Sequence, residues 1–357
     1  MMITTLLLIS IGWEVVSSMP VPLYGAACIV NNEKIYILGG KNENGVKNDV
    51  MVYFPLNDSF SVLNNMITPR YNMAYCLFDD RIFLFGGKND SGILKSVEVF
   101  NLTDNMVYTV SPMPERLEGA SAVVWRDSLI FVIGGFNDMH FSNKIYVYDP
   151  ENDMWYQYPY LLLEERAGFY TANISDTLFI IGGINEYGPL NSSEIIVPYN
   201  PPQSFSELID PRGYVSGVST DNSIYVTGGE GFSQIFSSVE YINLNNSSWN
   251  LFFSMNYPRM AHMSALFNEY IYVFGGISFG NNIIDVVERF DLSTGIKESD
   301  NTLEKRDGKI NILSGDKIKM FGKRKLFNIS GRRDGKLKRG IYFLIDRKNP
   351  KKIIVIK

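Results

Sequence analysis

Six Gly-Gly pairs punctuate the chain, with first glycines Gly39, Gly86, Gly134, Gly182, Gly228 and Gly275, separated by 47, 48, 48, 46 and 47 residues. A near-constant period of this size means one supersecondary unit copied six times, each too small to bury its own faces and so stacked on its neighbours. Each pair ends a short apolar run, such as Ile82-Phe83-Leu84-Phe85 or Ile271-Tyr272-Val273-Phe274. β-Branched and aromatic residues without polar alternation predict a strand buried on both faces. A polar turn (Asp79-Asp80, Asn268-Glu269) and an earlier apolar strand precede each run, which reads as a hairpin. A third strand follows, as in Lys144-Ile145-Tyr146-Val147-Tyr148, then a turn such as Asp149-Pro150. A large residue opens a fourth strand: Phe60, Val107, Trp155, Phe205, Trp249 and, least clearly, Ile296. A Met-Pro-like corner then carries an arginine: Arg70, Arg116, Arg166, Arg212 or Arg259, with Leu23 in that place in the first copy.

Four antiparallel strands per copy make the blade of a β-propeller. The pattern of apolar run, Gly-Gly, Tyr-Asp-Pro, Trp, Met-Pro and Arg resembles the kelch repeat, and the copy with Gly134-Gly135, Tyr148-Asp149-Pro150 and Trp155 resembles it best. The expected fold is all-β: a six-bladed kelch-like propeller over residues 13–300 and a small C-terminal β module over 301–357. Trp13-Glu14-Val15-Val16-Ser17-Ser18-Met19-Pro20 has the form of a fourth strand plus corner, with no hairpin before it. The last copy lacks a good fourth strand, so the N-terminal strand is expected to complete it. Closure of this kind pairs edges that would otherwise recruit other chains.

The formal net charge of −5 hides a split: residues 303–357 carry 18 Lys/Arg against 5 Asp/Glu, and the remainder 15 against 33. Such asymmetry marks a separate module, and an acidic propeller lacks the positive footprint that nucleic acid needs. Ser330-Gly331-Arg332, Gly340-Ile341-Tyr342-Phe343 and the Lys351-Lys352-apolar terminus resemble the type A sorting domain of the type IX secretion system of Gram-negative bacteria. That resemblance implies a sorting signal carried by Gly331, Gly340, Tyr342, Lys351 and Lys352, read by outer-membrane secretion machinery, and an extracellular or cell-surface location reached through the periplasm. Residues 1–12 would then hold a signal peptide, with an apolar stretch too short to span a membrane. Cys28 and Cys76 occupy matching strand positions in adjacent copies and are expected to be buried free thiols.

In a four-strand meander the loop after each Gly-Gly shares a face with the corner between blades. One mouth is therefore expected to gather Arg70, Arg116, Arg166, Arg212 and Arg259 with Phe136, His140, Tyr187, Glu230, Phe232 and Phe279. Planar donors, amides and aromatics suit a glycan or a protein segment, although an arginine recurring in every blade also suits repeat stacking. Two separated histidines, His140 and His262, and no spaced Cys/His cluster give no metal site. No catalytic residues, cofactor motif, P-loop or nucleophile elbow stand out. The expected function is a secreted binding module, the alternative a sugar-active enzyme of epimerase or mutarotase type working in the same mouth. On the sorting reading, a chain cut after residue 302 should fold and stay in the periplasm; its efficient release into the medium, followed by immunoblotting, would exclude that role.

Overall fold

The computed structural model describes residues 12–246 and 248–293 with their side chains, and the backbone of strands between 8 and 9 and between 305 and 356. Trp13–Phe290 forms one unit and the segments Met1–Gly12 and Asp291–Lys357 another. The first unit contains six four-stranded antiparallel sheets. Blade 1 is Ala27–Asn31, Lys34–Leu38, Val50–Phe54 and Ser59–Leu63. Blade 2 is Ala74–Phe78, Arg81–Phe85, Val97–Asn101 and Val107–Val110. Blade 3 is Ser121–Trp125, Leu129–Ile133, Ile145–Asp149 and Met154–Gln157. Blade 4 is Tyr170–Ile174, Thr177–Ile181, Ser193–Ile196 and Gln203–Phe205. Blade 5 is Ser216–Ser219, Ser223–Thr227, Val239–Asn243 and Asn250–Leu251.

Burial follows position in the blade. The second strands, each ending at a Gly-Gly, are buried on both faces, as Ile35, Ile37, Ile82, Phe83 and Ile130 show. The fourth strands lie outermost and are mostly exposed. A middle strand has another blade against each face, so it needs apolar side chains on both sides of the pleat. Cys28 and Cys76 are buried free thiols whose pKa burial pushes up.

Blade 6 confirms the strand exchange. It comprises Met263–Phe267, Tyr270–Phe274 and Val286–Asp291, and its outer strand is the N-terminal Glu14–Ser18, antiparallel to Val286–Asp291 with an irregularity between Val15 and Ser17. Trp13 is buried, and its Nε1 donates to the Phe253 carbonyl at 2.7 Å. The same contact recurs where Trp155 donates to Ser111 at 3.0 Å and Trp249 to Ser206 at 2.9 Å. Three tryptophans thus tie the start of one outer strand to the exit of the preceding blade's outer strand, and Trp13 does so from the other end of the chain. Ile296, the alternative opening of a sixth outer strand, lies outside the described residues.

In the second unit Gly340–Asp346 and Asn349–Ile356 form a hairpin, Ile318–Gly322 pairs with Gly340–Asp346 in parallel, and Leu8–Ile9 pairs with the last strand. Gly340, Tyr342, Lys351 and Lys352 fall in this hairpin, while Gly331 lies outside the described residues. Deleting residues 1–20 removes an outer strand together with the buried Trp13 and Met19, a loss of at least about 5 kcal/mol. The melting temperature should fall by roughly 10–20 °C; an unchanged calorimetric melt would refute the closure.

Candidate functional site

The loop after each Gly-Gly bonds to the residue that follows the corner of its own blade. Tyr24 bridges Lys41, Tyr71 bridges Lys88, Glu118 bridges Phe136, Ala167 bridges Ile184, Gly213 bridges Glu230 and Met260 bridges Ile277. These bridges put corners and loops on one face, the mouth. One residue further inward, Gly25, Asn72, Gly119, Gly168, Tyr214 and Ala261 all adopt positive φ. Their backbones are linked head to tail: Gly25 donates to Ala261, Asn72 to Gly25, Gly119 to Asn72, Gly168 to Gly119 and Ala261 to Tyr214, with Val215 donating to Gly168 in the sixth link. This closed ring rims a central channel of about 170 Å³.

The corner arginines do not face that opening. Arg70, Arg166, Arg212 and Arg259 are fully buried. Each turns its guanidinium back into its own blade, donating to the carbonyls of Gly86, Gly182, Gly228 and Gly275 at 3.0, 2.8, 2.9 and 2.7 Å. Each also pairs with a buried glutamate on the third strand: Glu98 at 3.2 Å, Glu194 at 2.8 Å, Glu240 at 2.7 Å and Glu288 at 2.5 Å. The glutamates in turn accept backbone N–H groups from the corner, as Glu240 does from Ile209 and Asp210. Burial lowers the Arg212 pKa, and the Glu240 charge opposes that shift. All four are committed to structure and are withdrawn as ligand contacts. Arg116 is exposed and does not hold the equivalent position at all; Leu117 does, its carbonyl accepting from Gly87 as the Arg70 carbonyl accepts from Gly40. Blades 1 and 3 therefore carry leucines, Leu23 and Leu117, where the others carry arginine. The glutamate position changes with them, to Met51 and Tyr146. The spacing of 28 or 29 residues between each arginine and its glutamate was the signal in the sequence for these partners.

The loop tips are the accessible part. Tyr187, Phe232 and Phe279 are 80%, 70% and 61% exposed. Phe136 instead packs on Phe141 at 5.1 Å, and Met139 is the exposed large apolar side chain of that loop at 88%. His140 is exposed and its backbone N–H donates to Asn137. Glu230 and Glu118 lie near Tyr214, whose pKa burial and these two charges push up to about 12. Lys88 bonds Glu118 at 3.0 Å, and Lys41 sits 5.0 Å over the Tyr71 ring. In blade 3, Glu115 accepts from Asn137, Lys144 and Tyr146; burial opposes ionisation, but these bonds outweigh it and hold the carboxyl below its usual range. The channel wall includes His262, kept neutral by burial and by Arg259, with Nε2 2.8 Å from Thr227 Oγ1, and no carboxylate or arginine. No group of three or more metal-binding side chains occurs among the described residues.

A family model for the KLHDC2/KLHL20/DRC7 Kelch-repeats domain matches residues 10–183, and the Kelch motif matches 211–256 and 258–296. The kelch repeat and BTB domain-containing protein 1 of cowpox virus (strain Brighton Red) is 30% identical over 129 residues, 34% of this chain and 23% of that protein. The kelch repeat protein C2 of vaccinia virus (strain Western Reserve) is 29% identical over 136 residues, 37% of this chain and 27% of that one. The match thus spans about a quarter of each viral relative. The structure of YjhT superposes with a TM-score of 0.65 at 17% identity, covering 76% of this chain and 96% of that one, a likeness of fold alone.

The two leucine blades supply a test of the arginine role. Arg212→Leu leaves Glu240 buried without its partner and should cost about 3–5 kcal/mol. Arg212→Leu with Glu240→Met copies the Leu23–Met51 pair and should recover at least half of that loss in urea denaturation. A double variant no more stable than the single one would refute the equivalence.

Proposed function

We propose that this chain, a six-bladed propeller of kelch repeats, is a protein-binding module whose partner docks on the loop face. The observation that carries this reading is the row of Met139, Tyr187, Phe232 and Phe279, large apolar side chains exposed on the mouth loops of four consecutive blades. Several large apolar side chains left in water on one face point to an interaction surface, whereas single scattered ones do not. The uniform parts of the repeat are spent on holding blades together, and the loops that differ between blades carry what is left to recognise a partner. The viral relatives named above are also kelch-repeat proteins.

Acid–base chemistry on a sugar would need carboxylates, or a carboxylate and an imidazole, converging with an arginine in a pocket. The channel lining brings His262 together with Asn72, hydroxyl-bearing and apolar side chains but no carboxylate or arginine, so the arrangement favours binding over the enzymatic alternative. A glycan ligand is a finer proposal, supported by the aromatic and amide side chains of the mouth. Secretion and outer-membrane sorting form a separate proposal that rests on the tail motif alone, and the binding reading does not depend on it.

A photo-crosslinking residue placed at Tyr187 or Phe232 should capture a protein partner in cells of the native host. The same residue at Leu56, in a turn of the opposite face, should not. Equal capture from both faces, or capture from Leu56 alone, would overturn the assignment of the face.

A further inference from the structure

The partner's chemistry is written in the charge of blades 4 and 5. We propose that the loop face there recognises a basic, amphipathic peptide segment, seating a Lys or Arg side chain between Asp210 and Phe232. The inference deepens the binding reading and rests on it.

From Ile145 to Glu288 the chain has no lysine, three arginines and sixteen Asp/Glu residues. The three arginines are Arg166, Arg212 and Arg259, all at 0% exposure. Blades 4 and 5 therefore present no cation to solvent among the described residues. The charge is also unbalanced at the rim. In blades 2 and 6 one buried arginine meets one glutamate, and the residues two places before the arginine are Thr68 and Tyr257. In blades 4 and 5 that place holds Glu164 and Asp210, so each arginine meets two carboxylates: Arg166 has Glu194 at 2.8 Å and Glu164 at 3.4 Å, and Arg212 has Glu240 at 2.7 Å and Asp210 at 3.5 Å. One guanidinium neutralises one carboxylate. The outer carboxylates, with 44% and 42% of their side chains exposed, carry the surplus.

Apolar surface lies alongside. Leu163, Tyr187, Ile209 and Phe232 are 56%, 80%, 49% and 70% exposed. Asp210, Pro211, Phe232 and Gln234 border an open pocket between the corner and the loop of blade 5. A carboxylate on one wall and an aromatic ring on another suit an alkylammonium or guanidinium group, which gains a charge-assisted hydrogen bond and a cation–π contact together. The aromatic rim asks for apolar neighbours on the same segment, and the single sign of the field predicts salt-sensitive association.

The test uses the full chain as bait for a library of random 12-residue peptides on phage, followed by anisotropy titration of the enriched peptides. Enriched sequences should combine two or more Lys/Arg with Leu, Phe or Trp. Their affinity should fall about tenfold between 50 and 300 mM salt, as screening of exposed charge requires. Asp210→Asn with Glu164→Gln should weaken them about tenfold, as should Phe232→Ala, whereas Leu56→Ala should not. Glu186→Gln, which touches no arginine, should weaken them two- to threefold and serves if the double variant melts early. Peptides without net positive charge, or indifferent to salt, would overturn this proposal while leaving loop-face binding standing if Phe232→Ala still weakens them. Binding indifferent to both Phe232→Ala and Tyr187→Ala would overturn both readings, and the absence of any enriched peptide would overturn recognition of a linear segment.

Discussion

The joint between blades is a backbone hydrogen bond that only glycine leaves room for. The second glycine of every Gly-Gly donates its N–H to the corner residue entering the next blade: Gly40 to Arg70, Gly87 to Leu117, Gly135 to Arg166, Gly183 to Arg212, Gly229 to Arg259 and Gly276 to Leu23, all at 2.8 or 2.9 Å. The first glycine lies directly beneath that carbonyl. A Cβ on Gly86 would stand 2.4 Å from the Leu117 oxygen, and φ there is +57°, a conformation in which a side chain is strained as well as crowded. The side chain of the corner residue then turns back to its own blade, where arginine binds the glycine carbonyl. Bond and side chain run around the axis as one circuit. It closes at Leu23, five residues after the N-terminal strand ends at Ser18, which is why the exchange in blade 6 matters for the whole ring.

A second circuit runs nearer the axis, and there the backbone carries strain. Gly25, Gly119 and Gly168 take positive φ freely, and Asn72 tolerates it, but Tyr214 and Ala261 do so at a cost of about 1–2 kcal/mol each. The two largest side chains of the ring, Asn72 and Tyr214, each follow a glycine. A Cβ on Gly25 would meet Asn72 at 2.4 Å, and one on Gly168 would meet Tyr214 at 3.0 Å. The larger side chains thus lie over glycines of the preceding blade, and the ring narrows the mouth to the central channel.

The architecture was legible because its cause is periodic: Gly-Gly spacing, doubly buried second strands and the orphan Trp13 each have a local signature that repeats. The site was less so. Arg116 passed for the repeat arginine because the corner of blade 3 is shifted, so that Leu117 fills the joint; the matching replacement of glutamate by Tyr146 was the sign of it. Phe136 and Met139 share one loop, and only tertiary packing, Phe136 against Phe141, decides which of them faces water. The inner ring carries Gly, Asn, Tyr and Ala at one position, a set with no shared chemistry beyond its backbone angle.

The same circuit explains how the mouth can vary while the scaffold does not. Where the joint is charged it is neutral as a pair, Arg with Glu; where it is apolar it is Leu with Met or Tyr. Either version contributes nothing to the net field. The residue two places before the joint takes five identities over the six blades: Val21, Thr68, Glu115, Glu164, Asp210 and Tyr257. It stands next to the buried pair but at the rim. Glu115 is neutralised there by Lys144 at 3.1 Å, while Glu164 and Asp210 share arginines already engaged by Glu194 and Glu240. Half-exposed charges of this kind contribute little to stability, yet they set the sign of the potential a partner meets. Packing and recognition are therefore carried by neighbouring positions that can change independently.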